Sequence, residues 1–567
     1  MSADISALNP AQRARDIERM TSASLDVLVV GGGVTGTGAA LDAASRGLRV
    51  GLLEQRDYAS GTSSRSSKLF HGGLRYLEQL NFGLVSEALG ERNLMLKTIC
   101  PHLARPVSFV YPLKHRFWER PYVGAGVFLY DLMARGSGSA LPRHEHVSKS
   151  RLTEIAPAID PTKFHGAIRY WDAQVDDARH TMTVARTAAA HGAALATSAR
   201  VVGLESTDGG LLASVLDLET GNTLAIETKT VINAAGVWSD DIQDLAGSGG
   251  LDVEASKGVH LVVPKDRIDS ETGMILRTKV SVLFVIPWAD HWIIGTTDTP
   301  WSLGRAHPAA SKNDIDYLLE QLNAVLAMPL RVDDIVGVYA GLRPLLSGES
   351  DETSKLSREH AVIDNGKGLI SVAGGKYTTY RLMARDAVDA STRYLSAKVP
   401  DSQTEDLPLV GADSFRWTRG EPLAANVDEK THTRLLGRYG SLVRDIYGLV
   451  QERPELGEPI SGGPYLGAEI VYAATHEGAL HLDDFLTRRT RISIEARHRG
   501  GRAAESISRL VAPILGWKDT TIEREIEHYR ARVDAERDSQ RQPDDRTADA
   551  ARMGAPDVRT GPSEVDG

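Results

Sequence analysis

The residues best suited to chemistry lie in three glycine-bearing segments. The first is Gly31-Gly32-Gly33-Val34-Thr35-Gly36. Apolar residues Val27–Val30 run into it. Gly36, Ala40, Ala44 and Gly47 follow at helical spacing, and a second apolar run ends in Glu54. The order strand, tight turn, helix, strand, acid seats a dinucleotide pyrophosphate on a helix N-terminus. Gly31 permits the turn, and Gly33 lets the backbone at Val34 and Thr35 approach phosphate. Gly36 lets the helix pack on the strand, and Glu54 accepts hydrogen bonds from ribose hydroxyls.

The second segment, Thr62–Leu77, reads TSSRSSKLFHGGLRYL. The hydroxyls of Thr62, Ser63, Ser64, Ser66 and Ser67, with Lys68 and backbone N–H groups, suit a loop that wraps a pyrophosphate. The same loop then presents His71 and Arg75 to a substrate. The third segment leaves the strand Leu369–Ala373 as Gly374-Gly375-Lys376-Tyr377-Thr378-Thr379. A helix N-terminus after a Gly-Gly turn offers a positive dipole end. Set against the pyrimidine edge of a flavin, it stabilises the anionic reduced ring, and Lys376 adds a full charge.

Such segments need a large scaffold to position them. At 567 residues the chain exceeds one hydrophobic core, so two or three domains are expected. A net charge of −10 argues against general affinity for nucleic acid. The one cysteine, Cys100, leaves no internal disulfide and no CxxC metal site; it reads as a small buried hydrophobe in a reducing, cytoplasmic setting. Residues 1–24 show no signal peptide, and no apolar run reaches the ~20 residues of a spanning helix. Any membrane contact is therefore expected to be peripheral. GxSxG, GxxxxGK(S/T), HExxH and EF-hand patterns are absent, and no metal site is expected.

Helical periodicity covers Asn81–Ile99, Thr181–His191 and Ile315–Met328. Val201–Leu204, Leu211–Leu218, Thr223–Glu227 and Thr230–Ile232 read as strands, and Leu283–Pro287 with Trp292–Gly295 as a hairpin. From about residue 406 strand signals fade and helices dominate. Beyond Gln540 the chain is charged and nearly free of large apolar groups, which predicts a disordered tail.

In this order the three segments resemble the FAD-dependent glycerol-3-phosphate dehydrogenases. The resemblance extends through SSKLFHGGLRYLE (Ser66–Glu78), WDAQVDDAR (Trp171–Arg179), INAAGVWSD (Ile232–Asp240), KGVHLVVP (Lys257–Pro264), AGLRPLL (Ala340–Leu346), SREH (Ser357–His360), AGGKYTTYR (Ala373–Arg381) and LDDFLTRRTR (Leu482–Arg491). It implies an α/β fold with a FAD-binding Rossmann-like domain split in sequence, over about 25–105, 165–255 and 345–400. A mixed-sheet substrate domain is inserted at about 106–164 and 256–344. An N-terminal arm at 1–24, a helical C-terminal domain at 406–540 and a tail at 541–567 complete the plan.

The resemblance implies FAD as cofactor, with Val201, Ala235, Gly236 and Trp238 joining Gly375, Lys376, Tyr377 and Thr378 and the first two segments around it. It implies oxidation of sn-glycerol 3-phosphate to dihydroxyacetone phosphate. Arg75, Arg343, Arg358 and Lys376, with the Tyr76 hydroxyl, are the expected substrate-binding set, because a small dianion needs clustered cations with directional donors. His71 is the first choice for the base that takes the hydroxyl proton, and His260 the second. Arg343 is the alternative stabiliser of the developing alkoxide.

No second strand–GxGxxG–helix unit is present for a pyridine nucleotide. The resemblance implies membrane quinone as electron acceptor; an oxygen-using oxidase, and a flavin held as a non-catalytic interaction module, are the alternatives. Pro112–Arg135 interleaves Lys114, His115, Arg116 and Arg120 with Phe117, Trp118, Tyr122, Phe128 and Tyr130. That mixture suits a bilayer interface; it equally suits a loop and helix buried within the substrate domain. The oligomeric state is left open, a homodimer included.

Overall fold

The computed structural model describes residues 3–78, 80–139, 141–278, 282–347, 360–413, 415, 427–555 and 557–559. The strand Leu25–Val30 is apolar on both faces beyond Asp26, as a central parallel strand must be. It lies between Val50–Leu53 and Thr223–Asn233 in parallel register, Val29 opposite Leu52 and Ile232. Leu369–Gly374 and His360–Asp364 extend this sheet on one side and Ala194–Ala196 on the other. The helices Val34–Ser45, Asp177–Ala190 and Tyr380–Ser391 cover one face. Their shared core is built largely of alanines, among them Ala40, Ala44, Ala185, Ala188 and Ala384, whose short side chains let helices and strands approach closely.

A second, mixed sheet holds Val253–Pro264, paired antiparallel with both His291–Gly295 and Gly337–Leu346. The expected hairpin is present as Val282–Trp288 and His291–Gly295. The two strands expected over 223–232 are one, Thr223–Asn233. One boundary differs from the sequence expectation. Ala167–Gln174, placed at the start of a FAD-binding segment, instead pairs antiparallel with Arg105–Pro112 in the second sheet. Its side-chain pattern is compatible with either sheet, so pairing decides its place.

The C-terminal helices form their own cores, around Leu482, Phe485 and Ile507 and around Leu436, Ile446 and Val471. They dock through the arginines of LDDFLTRRTR. Arg488 and Arg489 reach buried Asp57 at 2.5 and 2.6 Å, and Arg491 reaches Asp176 at 2.6 Å and Asp177 at 2.5 Å. The expectation of a disordered tail fails over its first part. Asp545–Arg552 is a helix capped by Asp544, and Arg559 lies buried on Asp484 at 2.6 Å. Asp545 meets buried Lys257, and Asp557 meets Arg56 at 3.1 Å. Composition predicted disorder because it counts apolar groups; here charged residues find specific partners. Cys100 is buried.

Candidate active site

A cavity of about 890 Å³ lies between the two sheets' loops, and the three glycine-bearing segments all line it. Gly31 sits at φ +113°, and a Cβ there would stand 2.6 Å from the Ala234 carbonyl oxygen. Only glycine fits that turn. Ser63 Oγ accepts a hydrogen bond from Val34 N at 2.9 Å, so the hydroxyl loop is fastened to the helix N-terminus. Glu54 accepts from Gly32 N at 2.7 Å and Arg56 N at 2.8 Å, which fixes its carboxylate on the cavity wall. Burial pushes its pKa up.

Gly36 does not reach the cavity. A Cβ there would stand 1.9 Å from the Gly31 carbonyl oxygen, so this glycine sets the contact of helix and turn. Gly36→Ala is expected to purify with its flavin content reduced to near zero, read by absorbance; a wild-type flavin ratio would contradict this role.

Thr62, Ser66 and Ser67 line the cavity, and so do Val34, Thr35, Gly33, Val201, Ala235, Gly236 and Trp238. Lys68 and Ser64 do not. The Lys68 backbone is left-handed at φ +58°, and its ammonium is buried on Asp177 at 2.7 Å and the Ser64 carbonyl at 3.0 Å. Burial, with Arg491 beside it, pushes its pKa down. Lys68 is therefore a structural anchor of the loop. Ser66 donates to the same Asp177 at 2.7 Å, and Tyr377 donates to the Asp177 carbonyl at 2.7 Å. Asp177 thus ties the second and third segments together.

His71, Tyr76, His260, Arg343 and Lys376 all line the cavity. Thr378 clamps His71 through both backbone groups, accepting from its N–H at 3.1 Å and donating to its carbonyl at 3.2 Å. The Lys376 ammonium lies 3.9 Å from the centre of the Tyr76 ring. Arg343 is aimed by Asp298 at 3.3 Å, Thr296 Oγ1 at 3.0 Å and the Thr297 carbonyl at 3.1 Å. Gly375 and Tyr377 complete the wall. Arg75 lies in the short helix Arg75–Glu78. Arg358 lies outside the described residues.

His260 stacks on Tyr339 at 4.7 Å, and its Nε2 meets Ser67 Oγ at 2.9 Å. Burial first, then Arg343 and Lys68, hold its pKa well below the ordinary imidazole value. It is a neutral hydrogen-bonding group through the physiological range.

Sequence reasoning missed two glycines that make room for the site. A Cβ on Gly258 would meet Arg343 Nη2 at 2.5 Å, and one on Gly341 would meet Arg65 Cβ at 2.7 Å. Their signal was present: Gly258 follows Lys257 and stands two residues before His260, and Gly341 stands two residues before Arg343. Arg56 and Arg305 also line the cavity and carried no sequence signal beyond their charge. Tyr130, read among the interface aromatics, is instead buried, donating to Asp172 at 2.7 Å and accepting from Gly72 N at 2.9 Å.

Comparison with known proteins decides the family. The model of the "FAD dependent oxidoreductase" family matches residues 26–381, and that of the "C-terminal domain of alpha-glycerophosphate oxidase" matches 402–522. The glycerol-3-phosphate dehydrogenase of Mycobacterium leprae is 54% identical, with 98% of this chain and 96% of that one covered. The chain belongs to the FAD-dependent glycerol-3-phosphate dehydrogenase family. The mitochondrial glycerol-3-phosphate dehydrogenase of Bos taurus is 34% identical over 92% of this chain and 75% of its own. The crystal structure of glycerol-3-phosphate dehydrogenase from Bacillus halodurans complexed with FAD superposes with a TM-score of 0.75 at 28% identity, covering 93% of this chain and 97% of that one.

FAD is the cofactor of this family, and the residues here fit it. The Gly31 turn, the N-terminus at Val34, the Glu54 carboxylate and the Gly374-Gly375 turn all face one cavity, with φ +76° and +73° at the last two. Among the described residues no helix is long and apolar enough to cross a membrane.

Proposed function

We propose that this protein oxidises sn-glycerol 3-phosphate to dihydroxyacetone phosphate. The observation that carries the reading is the convergence of Arg343, Lys376, Tyr76 and His71 on the cavity that the Gly31 turn also lines. A phosphorylated triol brings a dianion, and charge-assisted donors on a fixed guanidinium hold it best. Arg343 is held by three oxygen partners, so little side-chain entropy is lost on binding. The bound flavin supplies the hydride acceptor. His71 takes the hydroxyl proton, while His260 stays neutral and keeps Ser67 in place. The test is anaerobic titration with glycerol 3-phosphate: bleaching of the flavin band is expected, and a spectrum that does not change would overturn the reading.

The base assignment has its own pH signature. An imidazole base works only when neutral, so activity falls as pH drops and the ring protonates. His260 cannot produce such a limb near neutrality, because its folded pKa is depressed and it stays neutral there. We expect kcat/KM to show an acid limb, His71→Asn to lower kcat by about 10²–10⁴-fold, and the limb to vanish in that variant. A limb that survives His71→Asn places the base elsewhere.

In this reading electrons pass to membrane quinone. The supporting feature is the helix Glu119–Gly136 and the turn before it. The helix buries Val127, Tyr130 and Ala134 and leaves Tyr122, Phe128 and Leu132 in solvent; Phe117 is 84% exposed and Trp118 lies beside it. Apolar rings beside Lys114, Arg116 and Arg120 match the chemistry of an anionic bilayer surface. We expect the protein to float with anionic liposomes and to lose that behaviour when Phe117, Trp118, Tyr122 and Phe128 become serine. Unchanged flotation removes this face from the reading. Stopped-flow reoxidation should be faster with a soluble quinone than with oxygen; the reverse order favours the oxidase.

A further inference from the structure

A second cavity, of about 90 Å³, lies where the helices Asp519–Ser539 and Asp545–Arg552 meet the hydroxyl loop. Among the described residues Arg65, Arg488, Arg491, Arg499, Arg532 and Arg552 line it, and the lining carboxylates are Asp483 and Glu536; Arg488 is also held by Asp57 and Asp484 outside the lining, and Arg491 by Asp176 and Asp177. These acids do not balance the arginines. Asp483 already holds Arg488 at 2.9 Å as well as Arg532 at 2.5 Å. Glu536 is shared between Arg499 at 3.6 Å and Arg552 at 3.7 Å, both beyond hydrogen-bond reach. Among the described residues the Arg65 guanidinium has neither a hydrogen bond nor an ion pair. It brings five N–H donors to the cavity wall, and a desolvated donor is costly unless an acceptor meets it.

Each arginine is supplied by a different element, so the convergence is not a run of charge on one helix face. Burial, with Arg532, Arg552, Arg56 and Arg488 nearby, brings the Arg65 guanidinium down to about 9. Burial also brings Arg552 down to about 10, against the pull of Glu536. Both directions are those of cations crowded without enough counter-charge. An anion in the cavity reverses both.

We propose that this cavity is a binding site for one small tetrahedral oxyanion, inorganic phosphate in the cell, held by Arg65, Arg499, Arg532 and Arg552. The volume amounts to a few water molecules, enough for a free oxyanion and too small for a phosphorylated triol. The site joins three parts of the chain: the hydroxyl loop through Arg65, the C-terminal domain through Arg499 and Arg532, and the C-terminal segment through Arg552. Arg65 also lines the large cavity, two residues from Ser67 and its partner His260. Phosphate here therefore fastens the C-terminal helices to the loop that faces the flavin.

The test is a thermal melt of the flavin-loaded enzyme titrated with inorganic phosphate at constant ionic strength. A saturable rise of about 3 °C is expected, since a ligand of the folded state alone raises its stability. The rise should persist in Arg343→Ala, whose lesion is in the large cavity, and disappear in Arg552→Gln. Arg65→Gln replaces Arg552→Gln if that variant does not fold. Glycerol 3-phosphate added to Arg343→Ala should give no comparable rise. The proposal is overturned if the wild type shows no saturable rise, if the rise is lost in Arg343→Ala and kept in Arg552→Gln, or if the ester matches phosphate in Arg343→Ala.

Discussion

Arg343→Ala is expected to lower kcat/KM for glycerol 3-phosphate by about 10²–10⁴-fold, as the loss of one or two charge-assisted hydrogen bonds predicts. Flavin content should stay at the wild-type level. Arg343 sits on the strand Gly337–Leu346, opposite Ser256, and its partners Thr296, Thr297 and Asp298 form the loop between the second-sheet strands His291–Gly295 and Thr299–Trp301. None of them shapes the Gly31 turn. Arg343→Lys should recover only part of the loss, because an ammonium cannot reproduce the planar fork that Thr296 and Asp298 aim. Steady-state kinetics beside the flavin-to-protein ratio check this. If flavin is lost together with activity, Arg343 serves the cofactor and the substrate assignment fails.

The largest stability effect is expected at Asp57. Its carboxylate is fully buried and binds two arginines of the C-terminal domain, Arg488 Nε at 2.5 Å and Arg489 through both terminal nitrogens at 2.7 and 2.6 Å. Asp57→Asn removes the charge and leaves both guanidiniums inside. Breaking one side of a buried ion pair costs about 3–5 kcal/mol. Arg488 retains Asp483 and Asp484, but Arg489 is left with the Glu477 carbonyl. The variant should therefore melt well below the wild type and its C-terminal domain should become the first target of limited proteolysis. A melting temperature within a degree of wild type would show that the two domains are held by other contacts.

The cofactor turn was legible in the sequence because its requirements are local. A strand, a glycine that must adopt φ +113°, and a helix start within a few residues leave one chemistry that suits them. The hairpin at 282–295 and most helices were legible for the same reason: periodicity acts over one or two turns. Pairing between distant strands was not. Ala167–Gln174 carries no mark that assigns it to the second sheet. The order of the segment around Asp545–Arg552 was invisible too, since Lys257, Asp484 and Arg56, which hold it, are remote in sequence.

By itself the sequence determined the dinucleotide turn and the family, and it put forward the cations proposed to bind a phosphorylated substrate. Tertiary structure alone decided which cations face the cavity. Lys68 and Lys376 are both lysines in glycine- and hydroxyl-rich loops, and nothing in their spacing separates them. Asp177 withdraws Lys68 into the protein, while the Gly374-Gly375 turn brings Lys376 to the cavity wall. The reason is physical: a charged group is placed by the nearest partner that offsets its desolvation, and that partner is set by the fold, not by the neighbouring residues.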